Sequence, residues 1–253
     1  MARIITIVNQ KGGVGKTTTA INLSASLSFL GKRSLLIDTD TQGNTTSGLG
    51  FDKNEMEFTI YEVLTGQCGI RDSIIHTDLE NLDIIGSNIN LAGASVELVN
   101  VPEREKILKN ALKEVNDEYD FILIDSPPSL GLITLNNLTA AESVLIPLQC
   151  EYFALEGMSE LLDTIFLVQK NLNPDLTIEG ILMTMYDRRT NLSKQVVAEV
   201  QNYFGEKVYR TIIPRNVKLG EAPSFGKPSI LYAPESTGAQ AYMDLAREVI
   251  AHG

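Results

Sequence analysis

The chain has 253 residues, 43% of them hydrophobic and 21% charged, the balance of a soluble globular protein with room for one large α/β domain. Its formal net charge of −11 repels nucleic acid overall, so any DNA contact has to come from a local basic patch. Cys68 and Cys150 stand alone without CxxC spacing, which excludes a disulfide framework, a cysteine zinc site and an iron–sulfur cluster and suits a reducing cytoplasm. No apolar run approaches the ~18 residues of a membrane-spanning helix. The opening MARIITIVNQKGG lacks both the apolar length and the small-residue cleavage site of a signal peptide.

The elements alternate along the chain. RIITIV (3–8) is a β-rich run that enters a glycine-rich loop, and KTTTAINLSASLSFL follows at helical length up to Gly31. RSLLID (33–38) is a second buried strand, and the aperiodic polar stretch TDTQGNTTSGLG after it is an ordered functional loop. Helices are expected over 59–64 and 102–116, with the strand LDIIGS (82–87) between them. DFILID (120–125) has the near-continuous apolar character of a strand covered on both faces. SVLIPL (143–148) and IEGILMTMY (178–186) are further strands, separated by a helical stretch from about 155 to 171. KVYRTIIP (207–214) is a late strand, and STGAQAYMDLAREVIA is the final helix. This order implies an α/β fold: a mostly parallel, twisted sheet flanked by helices on both faces. No repeat, low-complexity segment or linker interrupts it, so residues 1–253 form one domain.

The stretch NQKGGVGKTTT (9–19) carries the chemistry. Gly12, Gly13 and Gly15, with Val14 among them, let the backbone turn tightly and aim successive N–H groups inward, and the helix opening at Lys16 adds its positive dipole end. In such a loop Lys16 reaches the β- and γ-phosphates, the Thr17 hydroxyl ligates Mg²⁺, and Thr18 donates to the α-phosphate. The usual pattern G-x-x-x-x-G-K-[ST] needs glycine at position 10, where this chain has Gln10; the variant K-G-G-x-G-K-[ST] fits instead, opened by Lys11. Asp125 ends a strand at the Walker B position, where a carboxylate holds Mg²⁺, and SPPS after it is a rigid turn suited to sensing a γ-phosphate. Asp38 and Asp40 lie at the end of another strand, in IDTDTQGN.

With these motifs, and with YDRRTNLS and IPRNVKLGEAPSFGKP further on, nearly the whole chain resembles the deviant-Walker P-loop ATPases and, within them, the ParA/Soj chromosome- and plasmid-partitioning proteins. The resemblance implies ATP and Mg²⁺ as ligands and a homodimer in the ATP state, in which Lys11 crosses the interface to the phosphates of the other subunit. It implies that Asp40 positions or activates the attacking water and that Asp38 supports the metal region. Thr41 stands where the family typically has proline, a departure that bears on the geometry of this loop. The resemblance places adenine contacts on TMYD (184–187) and IPRNV (213–217), mostly through backbone, with Asp187, Pro214 and Asn216 as the side chains concerned.

The resemblance also implies sequence-independent binding of double-stranded DNA by the dimer. That role maps to Arg189 and Lys218 first, then to Arg188 and Arg215. The implied partner is a ParB-type centromere-binding protein, and the implied place is the cytoplasm, on the nucleoid. Three rivals share the loop. A MinD-like membrane ATPase needs a basic amphipathic C-terminal helix, and MDLAREVIAHG has one arginine and no cationic apolar stripe. Nitrogenase reductase needs paired cysteines that are lacking here, and an amide-forming synthetase needs a small-molecule pocket.

Overall fold

The computed structural model describes residues 1–151 and 157–252. Its strands are β1 (Arg3–Ile7), β2 (Ser34–Asp38), β3 (Ile74–His76), β4 (Leu82–Ile85), β5 (Phe121–Asp125), β6 (Ser143–Gln149) and β7 (Thr177–Thr184). They form one seven-stranded sheet in the order β3-β4-β2-β5-β1-β6-β7, parallel except for the edge strand β3. The helices are α1 (Lys16–Phe29), α2 (Asn44–Gly48), α3 (Ile60–Leu64), α4 (Leu91–Glu97), α5 (Ile107–Leu112), α6 (Leu132–Ala140), α7 (Met158–Asn171), α8 (Asn191–Phe204), α9 (Val217–Glu221), α10 (Ser229–Tyr232) and α11 (Thr237–Ala251). The first residues of the helical stretch expected from about 155 lie outside the described residues.

The pleat sorts the apolar residues between two cores. Leu35 and Ile37 of β2 join Ile122 and Ile124 of β5 and Val144 and Ile146 of β6 on one face. Leu36, Leu123 and Leu145 point the other way, to Ile5 and Ile7 of β1 and to the helices α1 and α11. Burying both faces is what made these strands read as unbroken apolar runs. α11 contributes Ala239, Tyr242, Met243, Leu245, Ala246 and Val249 to that second core, and the Tyr242 hydroxyl meets Thr19 Oγ1 of α1 at 3.1 Å. Register then sets the site: Asp125 lies opposite both Ile7 and Asp38, so the ends of β1, β2 and β5 are level.

Three expectations are corrected. KVYRTIIP (207–214) is not a strand; its ladder pairing with β7 and its extension is limited to isolated bridges at Ile181–Val208 and Tyr186–Pro214. The ladder breaks because the Glu248 carboxylate of α11 takes the amides of Arg210 and Thr211, at 2.7 and 3.0 Å. The helix expected over 102–116 is cut to a 3₁₀ turn at Arg104–Lys106 followed by α5, after Glu103 in a left-handed conformation at φ 52°. The loop after β2 is ordered, as expected, but it contains α2 rather than being aperiodic throughout.

Candidate active site

The loop is built from its entry. Asn9 is buried and bridges two segments, its amide donating to the Pro147 carbonyl at 2.7 Å and its Oδ1 accepting from the Lys11 N–H at 2.9 Å. Gly13 and Gly15 take φ of 74° and 93°, where a side chain is strained. Gly12 has no such φ, and a Cβ there would meet nothing of the protein within 4 Å. Gly15 caps α1 without a side-chain hydrogen bond, and the first turn has no acidic residue. That leaves the first N–H groups of α1 free of side-chain acceptors, the arrangement in which helix ends receive anions. From the far side, Thr184 Oγ1 at the end of β7 donates to the Val14 carbonyl at 2.8 Å and fixes the middle of the loop.

Lys16 is buried, with its Nζ 3.2 Å from the Lys11 carbonyl. Burial lowers its pKa, while the nearby Asp125 and Asp40 pull it back up. Lys11 itself is exposed, and its side chain has no hydrogen bond or ion pair among the described residues.

The carboxylates differ in what they leave open. Asp125 Oδ2 accepts from Thr17 Oγ1 at 2.8 Å and from Thr45 Oγ1 at 2.7 Å, whereas Oδ1 is buried with no hydrogen-bond partner among the described residues. Burial, with the charge of Asp38 next in weight, raises the Asp125 pKa. An orphaned anionic oxygen beside a threonine hydroxyl fits a cation, and a donor set this small suits Mg²⁺, which keeps water and substrate phosphates as its other ligands. Both oxygens of Asp38 are engaged: Oδ1 by the Asp40 N–H at 3.0 Å, Oδ2 by the Thr46 N–H and Oγ1 at 2.9 and 2.8 Å. Asp38 thus organises the loop after β2, with both oxygens spent on backbone and hydroxyl donors of that loop. Asp40 is half-buried and holds the Gln42 N–H through Oδ1 at 3.0 Å. With Lys53 Nζ on the Gln42 carbonyl at 2.6 Å, that turn orders the segment around Thr41 without a proline. Of SPPS, Ser126 turns to the core, its hydroxyl meeting Thr6 and Asn137, each at 2.9 Å. Pro127, Pro128 and Ser129 instead line a cavity of about 290 Å³ shared with Asp40 and Gln42.

Known proteins bear on this geometry. The model of the AAA domain family AAA_31 matches residues 2–178. Sporulation initiation inhibitor protein Soj of Bacillus subtilis (strain 168) is 59% identical over 253 residues, all of both chains. Chromosome-partitioning ATPase Soj of Treponema pallidum (strain Nichols) is 55% identical over 251 residues, 99% of this chain and 98% of its own. The chain belongs to the ParA/Soj family of partitioning ATPases. A crystal structure of cobyrinic acid a,c-diamide synthase from Mycobacterium smegmatis with bound ADP and magnesium matches with a TM-score of 0.89 at 39% identity, over all of this chain and 95% of its own.

Pro214 and Asn216 line a cavity of about 240 Å³ with Gly15, Thr18 and Met185. Asn216 also caps α9 through Oδ1 on the Lys218 N–H at 2.8 Å, so its side chain is already committed there. Asp187 lies in a neighbouring groove of about 620 Å³ with Arg188, Arg189 and Arg215, and Pro214 and Arg215 border both cavities. Three of the four cations assigned to DNA are paired within the chain: Arg189 with Asp187 at 2.7 Å, Lys218 with Glu221 at 2.8 Å, and Arg215 with Glu151 at 3.5 Å. Asn9, Thr45, Thr46 and Thr184 are site residues that the motifs did not single out. Asn9 opens the NQKGG stretch itself, and a polar amide directly after the apolar run RIITIV was the available signal.

Proposed function

We propose that this chain binds ATP with Mg²⁺ at the glycine loop, hydrolyses it to ADP and phosphate, and uses the bound state to join two subunits on DNA during chromosome or plasmid segregation. The observation that carries the reading is the buried, unpartnered Oδ1 of Asp125 below a helix end without a cap. Thr17 and Asp125 would hold Mg²⁺, which supplies charge neutralisation to the phosphates. Lys16 and the loop amides bind the triphosphate, and Asp40 orients the attacking water; phosphoryl transfer asks little more than such positioning. Asp38 keeps Asp40 in place through the Asp40 N–H.

The exposed Lys11 supports the dimer. A lysine that leaves its own loop outward can neutralise a triphosphate bound by a second copy, and two of them exchanged across a two-fold axis make nucleotide part of the interface. The paired subunits double the cations, Arg188, Arg189 and Arg215 of the groove and Lys218 next along the chain from its lining Val217, so ATP raises DNA affinity despite the chain's net charge of −11. A ParB-type protein with a basic segment is the partner that stimulates hydrolysis, in the cytoplasm on the nucleoid. A MinD-like membrane role is disfavoured because α11 spends its apolar face on the core. Among the described residues no helix is long and apolar enough to cross a membrane.

Size-exclusion chromatography with a slowly hydrolysed ATP analogue tests this. The wild-type chain shifts to a dimer and Lys11→Ala stays monomeric while still binding the analogue. A dimer peak unchanged by Lys11→Ala removes the proposed switch.

A further inference from the structure

Two consecutive buried hydroxyls on α2 reach the two buried carboxylates. Thr46 Oγ1 donates to Asp38 Oδ2 at 2.8 Å, and Thr45 Oγ1 donates to Asp125 Oδ2 at 2.7 Å; neither threonine has any exposure. The helix that carries them is wedged in place. A Cβ at Gly48 would fall 2.6 Å from Ile21 Cδ1 of α1, and one at Gly43 would fall 2.6 Å from the Ser87 carbonyl. Thr46 Oγ1 also accepts from the Ser87 N–H at 2.9 Å. The Thr45 hydroxyl is therefore delivered to Asp125 by a rigid piece of the fold.

Asp125 needs that second donor. Thr17, the other partner of Oδ2, is itself an expected metal ligand, so its hydroxyl orientation follows the ion. Thr45 approaches from α2, and among the described residues its hydroxyl hydrogen-bonds only the carboxylate. Two donors converging on Oδ2 leave Oδ1 as the oxygen with no hydrogen-bond partner among the described residues. We propose that Thr45 is a positioning residue: its hydroxyl pins Asp125 Oδ2 so that Oδ1 is the oxygen presented to Mg²⁺ or its water beside Thr17. The assignment rests on the ATP–Mg²⁺ reading of the loop and adds to it the residue that selects which carboxylate oxygen serves.

Outer partners that orient a metal-holding group typically cost 10–100-fold in metal affinity when removed. The test titrates Mg²⁺ into the full chain with a fluorescent, slowly hydrolysed ATP analogue, beside a parallel binding curve in EDTA. Thr45→Val should weaken the apparent Mg²⁺ affinity by about 10–100-fold and leave analogue binding in EDTA unchanged, and Thr45→Ser should restore the wild-type value. If Thr45→Val fails to fold by thermal melt, Thr45→Ala carries the same expectation. Mg²⁺ affinity kept within about twofold of wild type, an equal loss in EDTA, or no rescue by serine overturns the role of Thr45. A wild-type chain that binds the analogue without regard to Mg²⁺ instead overturns the underlying reading of the site.

Discussion

Asp38 and Asp125 sit side by side at the ends of β2 and β5 with almost no exposure to water, whereas the side chain of Arg189 is 83% exposed and stands in a groove lined by other cations. At the strand ends, charge is held out of water by fixed hydroxyls and amides, so each group answers strongly to what binds beside it. In the groove, Arg189 and Arg215 each lean on a carboxylate in solvent, where a pair contributes little and salt screens it. The contrast separates two tasks. Chemistry needs groups that do not reorganise when charge develops, and the proposed reversible hold on DNA would need contacts that exchange partners at little cost.

The largest expected effect lies at the strand ends. Asp40→Ala should lower hydrolysis by about 10²–10⁴-fold while ATP binding and ATP-dependent dimerisation persist. Phosphate release at the wild-type rate would discard the assignment of Asp40. A second effect follows from burial of the aspartate pair. Burial lifts the Asp38 carboxyl to about 6, and burial together with the Asp38 charge lifts that of Asp125 to about 7, from an ordinary 3.8. Between the ordinary and the raised values the folded chain holds protons that the unfolded chain has released. The pair's contribution to stability is therefore full in acid and is lost as pH rises through that window. The melting temperature of ligand-free protein should fall from about pH 5 to about pH 7 more steeply in wild type than in Asp125→Asn, which keeps an oxygen for Thr17 and Thr45. Equal slopes would show that the strand ends are no more strained than the groove.

The same contrast explains what could be seen in the residues beforehand. The loop is a local pattern: Lys11, Gly12, Gly13, Gly15, Lys16 and Thr17 are neighbours in the chain, and the strand before them is set by its own apolar run. Thr45 has no local mark, being one hydroxyl among many in TDTQGNTTSGLG, and its partner Asp125 lies eighty residues on. The run 207–214 looks like a strand because Val208, Tyr209, Ile212 and Ile213 favour one. What cancels it is Glu248, on a helix whose packing no local pattern encodes. The edge strand β3 escaped notice for the opposite reason: three residues paired on one side carry too little apolar alternation to stand out.

The smallest effects belong to the groove, and they sharpen the comparison most. Four phosphate contacts would weaken DNA binding by roughly a hundredfold between 50 and 200 mM salt. Arg189→Ala or Lys218→Ala should weaken binding uniformly across sequences and reduce the salt slope by about one each. Asp187 grips Arg189 through two side-chain hydrogen bonds, at 2.9 and 2.7 Å, and the charge-assisted pairing holds its carboxyl well below the usual range. A DNA phosphate has to replace that carboxylate. Asp187→Asn should therefore raise affinity, by less than about fivefold because the pair stands in solvent. Fluorescence anisotropy with the ATP analogue at both salt concentrations reads the change. Weaker binding by Asp187→Asn would mean that the carboxylate aims the guanidinium rather than occupying it, and the groove would then share the fixed geometry of the strand ends.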